Sequence, residues 1–359
     1  MNYETCMKTA LQLARRGAGW TAPNPMVGAV IVKNDRVIAE GWHRRCGDLH
    51  AEHEALNNCR ESCRGATPYV TLEPCCHEGR QPPCTDAILQ SGIREVVIGC
   101  PDPNPQVSGN GIRILREHGI TVRTGVLEQE CLAPNQAFFH WIRTGLPFIA
   151  LKYAMTLDGK TEAASGNSKW ITGEETRAYV HRLRHEYTGI LAGIGTVLKD
   201  DLMLNCRLPE TRDPVRIVCD TNLSMPLNCS LVRSATRCPL IIATCVTDKN
   251  RLAAYERAGC SILTCRRKHG HADLRDLMCR LGKMEISSIL VEGGSFAASL
   301  LEEHLVNRVV ACIAPWLFGG ELSKSPIGGS GVFNPAEGVV LRNTKMMQMG
   351  TDYVIEGDI

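Results

Sequence analysis

Three side chains in the first quarter of the chain have the types and spacing of metal ligands. His50 lies at the start of a predicted helix, and Cys75 and Cys84 each follow a proline further along the chain. One imidazole and two thiolates fill three positions of a tetrahedral zinc ion and leave the fourth for water, as hydrolytic zinc chemistry requires. Zinc lowers the pKa of that water to about 7, which makes hydroxide available near neutral pH.

A carboxylate lies next to the first of these ligands. Glu52 is two residues beyond His50, near the start of the same predicted helix. From there it can reach the water without binding the metal, take its proton, and deliver that proton to a ring nitrogen and a departing amine. The combination of H-x-E with a later P-C is the signature of zinc deaminases, although eight residues rather than two separate the cysteines here.

Two other interpretations of these residues stay open at this point. They could form a structural zinc site, for which Cys76 or His77 is available as a fourth ligand, or they could bind no metal. Three ligands are favoured because adjacent Cys75 and Cys76 project differently and Pro82-Pro83 stiffens the approach to Cys84.

The hydrophobic pattern places the ligands in an α/β fold. Apolar strands alternate with helical segments, which predicts an α/β/α layered sheet. We expect a hairpin across Asn34-Asp35 and helices over residues 50–61 and 128–141. A short segment with Gly and Pro, residues 143–147, is the best linker, and it predicts domains at 1–146 and 147–359.

The second part of the chain restarts the alternation and contains two glycine-rich turns between a strand and a helix. These are Gly193-Ile-Gly195-Thr196 and residues 291–295. Backbone N–H groups in such turns can bind a phosphate, so a dinucleotide or phosphorylated ligand is favoured over plain tight turns. Strands at 338–342 and 352–355 are predicted to close this domain.

The composition excludes several classes of protein. The net charge is +2, from 40 basic and 38 acidic residues, without the basic bias of a strong nucleic-acid binder. No apolar run approaches the roughly 18–20 residues of a transmembrane helix. The first residues lack the pattern of a signal peptide, so we expect a cytoplasmic protein. Its 18 cysteines are then expected to be reduced thiols, some of them binding metal.

Four stretches resemble the deaminase half of the bifunctional riboflavin-biosynthesis deaminase/reductase family. They are residues 21–28, 47–52, 71–84 and 102–105, and the loop P-C-x-H-x-G-R-x-P-P-C in the third is the most specific of them. The resemblance implies a cytidine-deaminase-like domain in which His50, Cys75 and Cys84 bind zinc and Glu52 moves protons. The substrate-binding residues that it implies are Asn24, His77, Arg80, Asp102 and Asn104.

Five stretches of the second part resemble the reductase half of the same family, at residues 152–160, 168–172, 193–201, 204–207 and 292–294. They imply a dihydrofolate-reductase-like α/β domain that binds NADPH. The implied NADPH-binding residues are Ala154, Trp170, Thr196, Asp200, Gly293, Gly294 and Ser295. The implied residues for the substrate's phosphate and sugar are Ser168, Arg184, Leu204, Arg207 and Glu292. The chemistry of the two arginines agrees, because guanidinium groups can clamp a phosphate bidentately.

The resemblance thus implies an enzyme with two active sites and two cofactors, zinc and NADPH. One site would deaminate 2,5-diamino-6-ribosylamino-4(3H)-pyrimidinone 5′-phosphate, using zinc-activated water. The other would reduce the ribosyl group of 5-amino-6-(5-phosphoribosylamino)uracil to ribityl. We expect a small-molecule substrate and no nucleic-acid or membrane partner, with a homo-oligomer left open.

Two rival functions are kept beside this one. A nucleic-acid-editing zinc deaminase with a C-terminal binding module predicts a basic groove lined with aromatic side chains. A non-catalytic zinc scaffold with a nucleotide-sensing domain predicts bound zinc without release of ammonia.

Overall fold

The computed structural model of the chain describes residues 2–78, 81–105, 107–293, 296–321 and 323–359. Its contacts divide the chain into two compact units, of which the first ends at Gly145 and the second begins at Leu146. The division lies one residue before the predicted domain boundary. None of the helices in the described ranges combines the length and the apolar composition needed to cross a bilayer.

The described residues of the first unit form five strands and six α-helices. The strands are β1 (Gly28–Lys33), β2 (Arg36–Trp42), β3 (Thr67–Leu72), β4 (Glu95–Cys100) and β5 (Thr121–Thr124). The helices are α1 (Tyr3–Arg15), α2 (Ala51–Asn58), α3 (Cys84–Gln90), α4 (Asn110–Glu117), α5 (Glu128–Leu132) and α6 (Gln136–Thr144). The sheet order is β2-β1-β3-β4-β5, with β1 antiparallel to its two neighbours and β3, β4 and β5 parallel.

Helices cover both faces of this sheet. On β4, Val96 and Ile98 pack in a cluster with Ile88 of α3 and Leu115 of α4. Val97, between them, belongs instead to the cluster that contains residues of α1 and α2. Alternate residues of a strand point to opposite faces, so this unit has the predicted α/β/α layers.

Local sequence explains the first elements of this unit. Asn2 caps α1 by accepting a 3.0 Å hydrogen bond from the backbone N–H of Glu4. Asn34 and Asp35 have φ angles of 50° and 55°, as a tight two-residue hairpin turn between β1 and β2 requires. Gly28 begins β1 where α1 crosses it, and a Cβ there would lie 2.0 Å from the Ala10 carbonyl oxygen. Only glycine allows this close approach.

The second unit has a larger, mostly parallel sheet. Its strands are β6 (Phe148–Thr156), β7 (Gly189–Gly193), β8 (Val215–Cys219), β9 (Leu240–Thr244), β10 (Ser261–Thr264), β11 (Arg267–Lys268), β12 (His271–Ala272), β13 (Ser288–Glu292), β14 (Arg308–Ala314), β15 (Arg342–Met349) and β16 (Asp352–Asp358). Its helices are α7 (Glu174–Glu186), α8 (Ile194–Asp200), α9 (Ser230–Arg233), α10 (Lys249–Arg257), α11 (Leu274–Lys283) and α12 (Ala297–Glu302).

The strand order of this sheet brings both glycine-rich turns to the same edge. The order is β10-β9-β8-β7-β13-β6-β14-β16-β15, and every pair from β10 to β14 is parallel. β7 ends at Gly193 and its parallel neighbour β13 ends at Glu292. Ligands of open α/β sheets bind at such carboxyl ends, so this edge is the expected position of a nucleotide.

Four predicted elements are wrong in their bounds. The strand predicted at 352–355 continues to Asp358 as β16. The helix predicted over 50–61 ends at Asn58, and the one predicted over 128–141 is divided into α5 and α6 around Pro134, which lacks a helical N–H donor. The strand predicted at 338–342 is wrong, because β15 begins at Arg342 and continues to Met349. Most residues of β15 are exposed, so its sequence lacks the alternation by which strands are recognised.

The cysteines form no disulfide, and all 18 are free. Nine of them are buried, and Cys279 is the exposed one. Burial raises the pKa of Cys131 to about 12 and that of Cys265 to about 12. These thiols therefore stay protonated at neutral pH and behave as small apolar core residues.

Candidate active sites

The predicted metal ligands come together at one end of the first sheet. His50 is the residue before α2, Cys84 is the first residue of α3, and Cys75 lies in the loop after β3. His50 Nδ1 is 3.4 Å from the Sγ of Cys75 and 3.4 Å from that of Cys84, and the three atoms lie within 4.8 Å of one another. Ligand atoms of a tetrahedral zinc with bonds of about 2.0–2.3 Å are roughly 3.5 Å apart, so the set fits this ion.

This set has three members among the residues that the structure describes. Neither Cys76 nor His77 belongs to it, so the described residues provide no fourth ligand there for a closed structural site. Hydrogen bonds from Cys84 and His50 lower the pKa of the Cys75 thiol, which favours the thiolate that zinc binds. Three ligands with an open fourth position are typical of catalytic zinc.

Glu52 lies beside the ligands and is almost completely buried, with 6% of its surface exposed. Its carboxylate is within hydrogen-bonding reach of Cys84. Burial, together with the charge of Cys75, raises the pKa of Glu52 to about 7. A carboxyl group with such a pKa can both accept and donate a proton near neutral pH, as a general acid and base must.

His43, which no sequence pattern identified, contacts two of the predicted site residues, Asn24 and His50. Its Nδ1 lies 2.9 Å from the carbonyl oxygen of Leu49, and its Nε2 lies 3.2 Å from Nδ2 of Asn24. With Nδ1 donating to that carbonyl, Nε2 accepts from the amide of Asn24, which fixes the orientation of this predicted substrate ligand. The ring also lies edge-on to His50, with 5.5 Å between centroids. A single histidine after a strand had no distinguishing sequence pattern.

The remaining substrate residues predicted for this site lie in two loops. His77 lies two residues after Cys75, and its Nδ1 is buried without a hydrogen-bond partner in the described structure. Asp102 and Asn104 follow β4, and Asp102 Oδ1 accepts a 2.8 Å hydrogen bond from the Asn104 N–H. Burial raises the pKa of Asp102 to about 6. Arg80 lies outside the described residues.

In the second unit, Glu292 and Arg184 form a nearly buried ion pair. Arg184 donates from Nε and Nη2 to the two carboxylate oxygens of Glu292 at 2.8 and 2.7 Å, and from Nη1 to the Asn205 carbonyl at 2.9 Å. Burial alone would raise the pKa of Glu292, but the charges of Arg184 and Lys152 outweigh it and lower that pKa to about 2. Three of the five guanidinium N–H groups of Arg184 are used in these bonds.

The two glycine-rich turns meet at the carboxyl edge of the large sheet. Gly293 has a φ of 109°, and a Cβ there would lie 2.8 Å from Thr196 Oγ1. A cavity of about 450 Å³ opens beside the first turn. It is lined by Gly193 and Gly195 of that turn, by Thr221 after β8, and by Phe296 and Ser299 at the start of α12. Close-packed backbone beside such a cavity is suited to a phosphorylated ligand. Gly294 and Ser295 lie outside the described residues.

A second cavity, of about 330 Å³, brings together two other predicted residues. Trp170 and Arg207 line it with Arg177 and His181. The Arg177 guanidinium lies 4.9 Å from the Trp170 ring, and Arg207 Nε lies 3.3 Å from His181 Nε2. Burial and the charges of Arg184 and Arg207 lower the pKa of His181 to about 4, so this imidazole is neutral. His181 was not singled out by the sequence.

The other predicted reductase residues are more scattered. Ala154 lies in β6, Asp200 ends α8, and Ser168 is in a loop before α7. None of the three lines either cavity in the described part of this unit. Leu204 is 1% exposed and packs in a core cluster, so its backbone rather than its side chain is available to a ligand.

Comparisons with known proteins cover both units. The family model described as the RibD C-terminal domain matches residues 147–355, and the one described as the cytidine and deoxycytidylate deaminase zinc-binding region matches residues 1–100. The riboflavin biosynthesis protein RibD of Actinobacillus pleuropneumoniae is 48% identical over 351 residues, which cover 98% of this chain and 93% of that protein. RibD of Escherichia coli is 40% identical over 336 residues, covering 89% and 90%.

Two solved structures are similar along the whole chain. RibD of Acinetobacter baumannii superposes with a TM-score of 0.89 at 33% identity and covers 99% of both chains. A diaminohydroxyphosphoribosylaminopyrimidine deaminase/5-amino-6-(5-phosphoribosylamino)uracil reductase of Thermotoga maritima superposes with a TM-score of 0.86 at 37% identity, covering 99% of this chain and 98% of the other.

Proposed function

The chain belongs to the RibD family of bifunctional riboflavin-biosynthesis enzymes, and on that premise we propose which residues perform each of its two reactions. Members of the family are zinc-dependent deaminases and NADPH-dependent reductases, and this chain has both domains. We propose that residues 1–146 remove the amine of the diaminopyrimidinone ribosyl phosphate and that residues 147–359 reduce its ribosyl group. Bound zinc supplies the Lewis acidity that generates a nucleophile from water, and NADPH supplies the hydride.

For the deamination, the chain would supply three metal ligands and one general acid and base. His50, Cys75 and Cys84 would hold the zinc, and the observation that supports this best is their mutual distance of no more than 4.8 Å beside the buried Glu52. The Glu52 carboxylate would accept a proton from the attacking water and pass it to the ring nitrogen and then to the departing amine. Its pKa of about 7 suits both transfers.

On the substrate side of the same domain, polar groups would orient the pyrimidine. Asn24 is held by His43, and Asp102 is joined to Asn104 by a hydrogen bond, so their orientation is established before substrate arrives. Such preorganisation lowers the entropic cost of reaching the reactive geometry. His77 has a buried Nδ1 with no protein partner in the described structure, which fits a ligand contact. Arg80 completes the proposed substrate set.

For the reduction, the chain's residues would position two anionic ligands against each other. The turns at Gly193–Thr196 and at Gly293 would place backbone N–H groups against the cofactor's phosphates. Arg207 would bind the substrate phosphate, and the Arg184–Glu292 pair would hold the sugar side. The remaining residues of the proposed reductase site are Ala154, Ser168, Trp170, Asp200, Leu204, Gly294 and Ser295.

The substrate is a small pyrimidine, and we propose that the enzyme works in the cytoplasm. The 18 free thiols support this location, because cysteines stay reduced there.

One experiment tests both halves. The purified chain is incubated with the diaminopyrimidinone ribosyl phosphate with or without NADPH, and the products are identified by mass. We expect loss of the amine in both samples and a gain of two hydrogens only with NADPH. Bound zinc without release of ammonia would instead favour a scaffold, and tight, salt-sensitive RNA binding in a gel shift would favour a nucleic-acid-editing enzyme.

A further inference from the structure

Glu73 is a buried carboxylate that the proposed reactions do not use. It follows β3, two residues before the zinc-binding Cys75, and 3% of its surface is exposed. Among the described residues no lysine, arginine or histidine forms an ion pair with it. A buried charge without a counter-ion is costly unless hydrogen bonds replace its hydration, so the partners of Glu73 indicate what it does.

Those partners are three backbone N–H groups of the segment that connects β4 to α4. Glu73 Oε2 accepts from the N–H of Asp102 at 3.3 Å and from that of Gly109 at 3.0 Å. Its Oε1 accepts from the N–H of Ile112, in the first turn of α4, at 3.2 Å. The carboxylate therefore holds both ends of residues 102–109, and the helix end favours its negative charge.

Between these two ends, hydrogen bonds of the described residues converge on Asn104. The Asn104 N–H donates to Asp102 Oδ1 at 2.8 Å, and its carbonyl oxygen accepts from the N–H groups of Val107 and Ser108, each at 2.8 Å. Asp102 and Asn104 are the proposed substrate residues of this loop. The position of both side chains therefore depends on hydrogen bonds that end at Glu73.

The start of α4, which carries the third N–H, lies so close to Pro74 and Glu73 that no side chain would fit at Gly111. A Cβ on Gly111 would lie 2.3 Å from the carbonyl oxygen of Pro74 and 3.2 Å from Oε1 of Glu73. Gly111 is a buried residue of α4, and its lack of a Cβ lets the helix end reach Glu73. The contact between the residues that follow β3 and the start of α4 thus has two separable parts, the carboxylate of Glu73 and the glycine opposite it.

We propose that Glu73 is a positioning residue for the deamination, which holds residues 102–109 so that Asp102 and Asn104 meet the pyrimidine substrate. This rests on the proposed substrate contacts of those two residues. Glu73 does not touch the reacting atoms, so its loss should weaken substrate binding and leave the metal in place.

The test uses the full-length chain with the substitution Glu73→Gln, which keeps the size of the side chain but places an amide N–H₂ against backbone donors. We expect the KM for the diaminopyrimidinone substrate to rise about tenfold or more, with a smaller change in kcat, because substrate contacts are displaced. Zinc content should equal that of the wild type, and the amides of residues 102–112 should exchange hydrogen faster. Glu95→Gln is the matched control, since this carboxylate of the same sheet is paired with Arg123 instead.

Each other result decides against the proposal. Faster exchange in residues 102–112 with an unchanged KM would make Glu73 a purely structural residue, and loss of zinc would mean that it acts through Cys75. If Glu73→Gln fails to fold, Gly111→Ala should give the same rise in KM by displacing α4, and an unchanged KM there would overturn the proposal. Asn104→Ala is measured in parallel, because an unchanged KM in that variant refutes the substrate contact itself rather than the role of Glu73.

Discussion

Arg184 and Glu292 form a bidentate ion pair in the reductase unit, with donor–acceptor distances of 2.8 and 2.7 Å. The side chains come from α7 and from the end of β13, and each is only 12% exposed. A planar guanidinium matches a carboxylate in this geometry, whereas an ammonium cannot. Arg184 therefore fixes Glu292 in addition to any contact it makes with the substrate.

We expect Arg184→Lys to impair the reduction. Lysine keeps the charge but loses the paired hydrogen bonds, so kcat/KM for reduction of the deaminated substrate should fall about tenfold or more. The deaminase rate of the same preparation should not change. Arg182→Lys, on the same helix with its guanidinium 5.6 Å from the Tyr179 ring, is the control and should retain reductase activity. Equal rates for the two variants would show that the pairing geometry is irrelevant.

The same pair should make the stability of this unit sensitive to acid. The folded-state pKa of Glu292 is about 2, below its ordinary value of 4.5. Its ionised form therefore stabilises the folded chain above about pH 4.5, and this contribution is lost as the pH falls toward 2. A shift of this size corresponds to about 3 kcal/mol.

Urea unfolding of the wild type and of Glu292→Gln at about pH 6 and about pH 3 measures this contribution. The wild type should lose more free energy of unfolding between the two pH values than the variant does. The other carboxyl groups titrate in both proteins and cancel in the comparison. Parallel losses in the two proteins would contradict the pKa assigned to Glu292.

Removal of a metal ligand should separate the two activities. In Cys84→Ser, a hydroxyl replaces the proposed thiolate ligand, so zinc content should fall from about one per chain toward zero, and deamination with it. The reductase rate should persist, because its residues belong to the other unit. Cys279→Ser, which changes the exposed thiol, should retain both zinc and deamination. Full deamination by a zinc-free Cys84→Ser would remove the metal from the mechanism.

Glu52→Gln should abolish deamination while zinc stays bound. The amide is similar in size to the carboxyl but cannot move protons, and loss of general acid–base catalysis costs about 10²–10⁴-fold in rate. Zinc content, measured by elemental mass spectrometry, should be unchanged, since Glu52 is not among the three ligands. Glu61→Gln, a carboxylate after α2 that pairs with Arg36, provides the control. A variant that loses zinc together with activity would indicate a structural role for Glu52.

The grouping of the proposed metal ligands could be predicted from the sequence because each of them lies in a recognisable local pattern. A histidine directly before a helix, a glutamate in its first turn and two cysteines that each follow a proline have recognisable spacing, and the structure places them together. Glu73 and His43 could not be found in this way. Their partners lie 29 to 39 and 6 to 19 residues away, and only the folded sheet brings them into contact.

The same distinction applies to the fold. Elements determined by neighbouring residues could be predicted, and elements determined by contacts with distant strands could not. The hairpin at Asn34-Asp35 was predicted because two residues determine its turn. β15 was misplaced because it is held by its pairing with β16 rather than by an apolar face of its own. The short hairpin of β11 and β12 had no pattern long enough to be recognised.

The buried thiols allow local unfolding of the chain to be followed by chemical modification of its own cysteines. Alkylating reagents react with accessible thiolates, so a buried cysteine is modified only when its surroundings unfold. Such residues occur in both units; they include Cys6, Cys100 and Cys131 in the first, and Cys238, Cys260 and Cys312 in the second. Timed exposure to iodoacetamide, followed by peptide mass analysis, would therefore reveal the order in which the two halves lose their structure, without a single engineered probe.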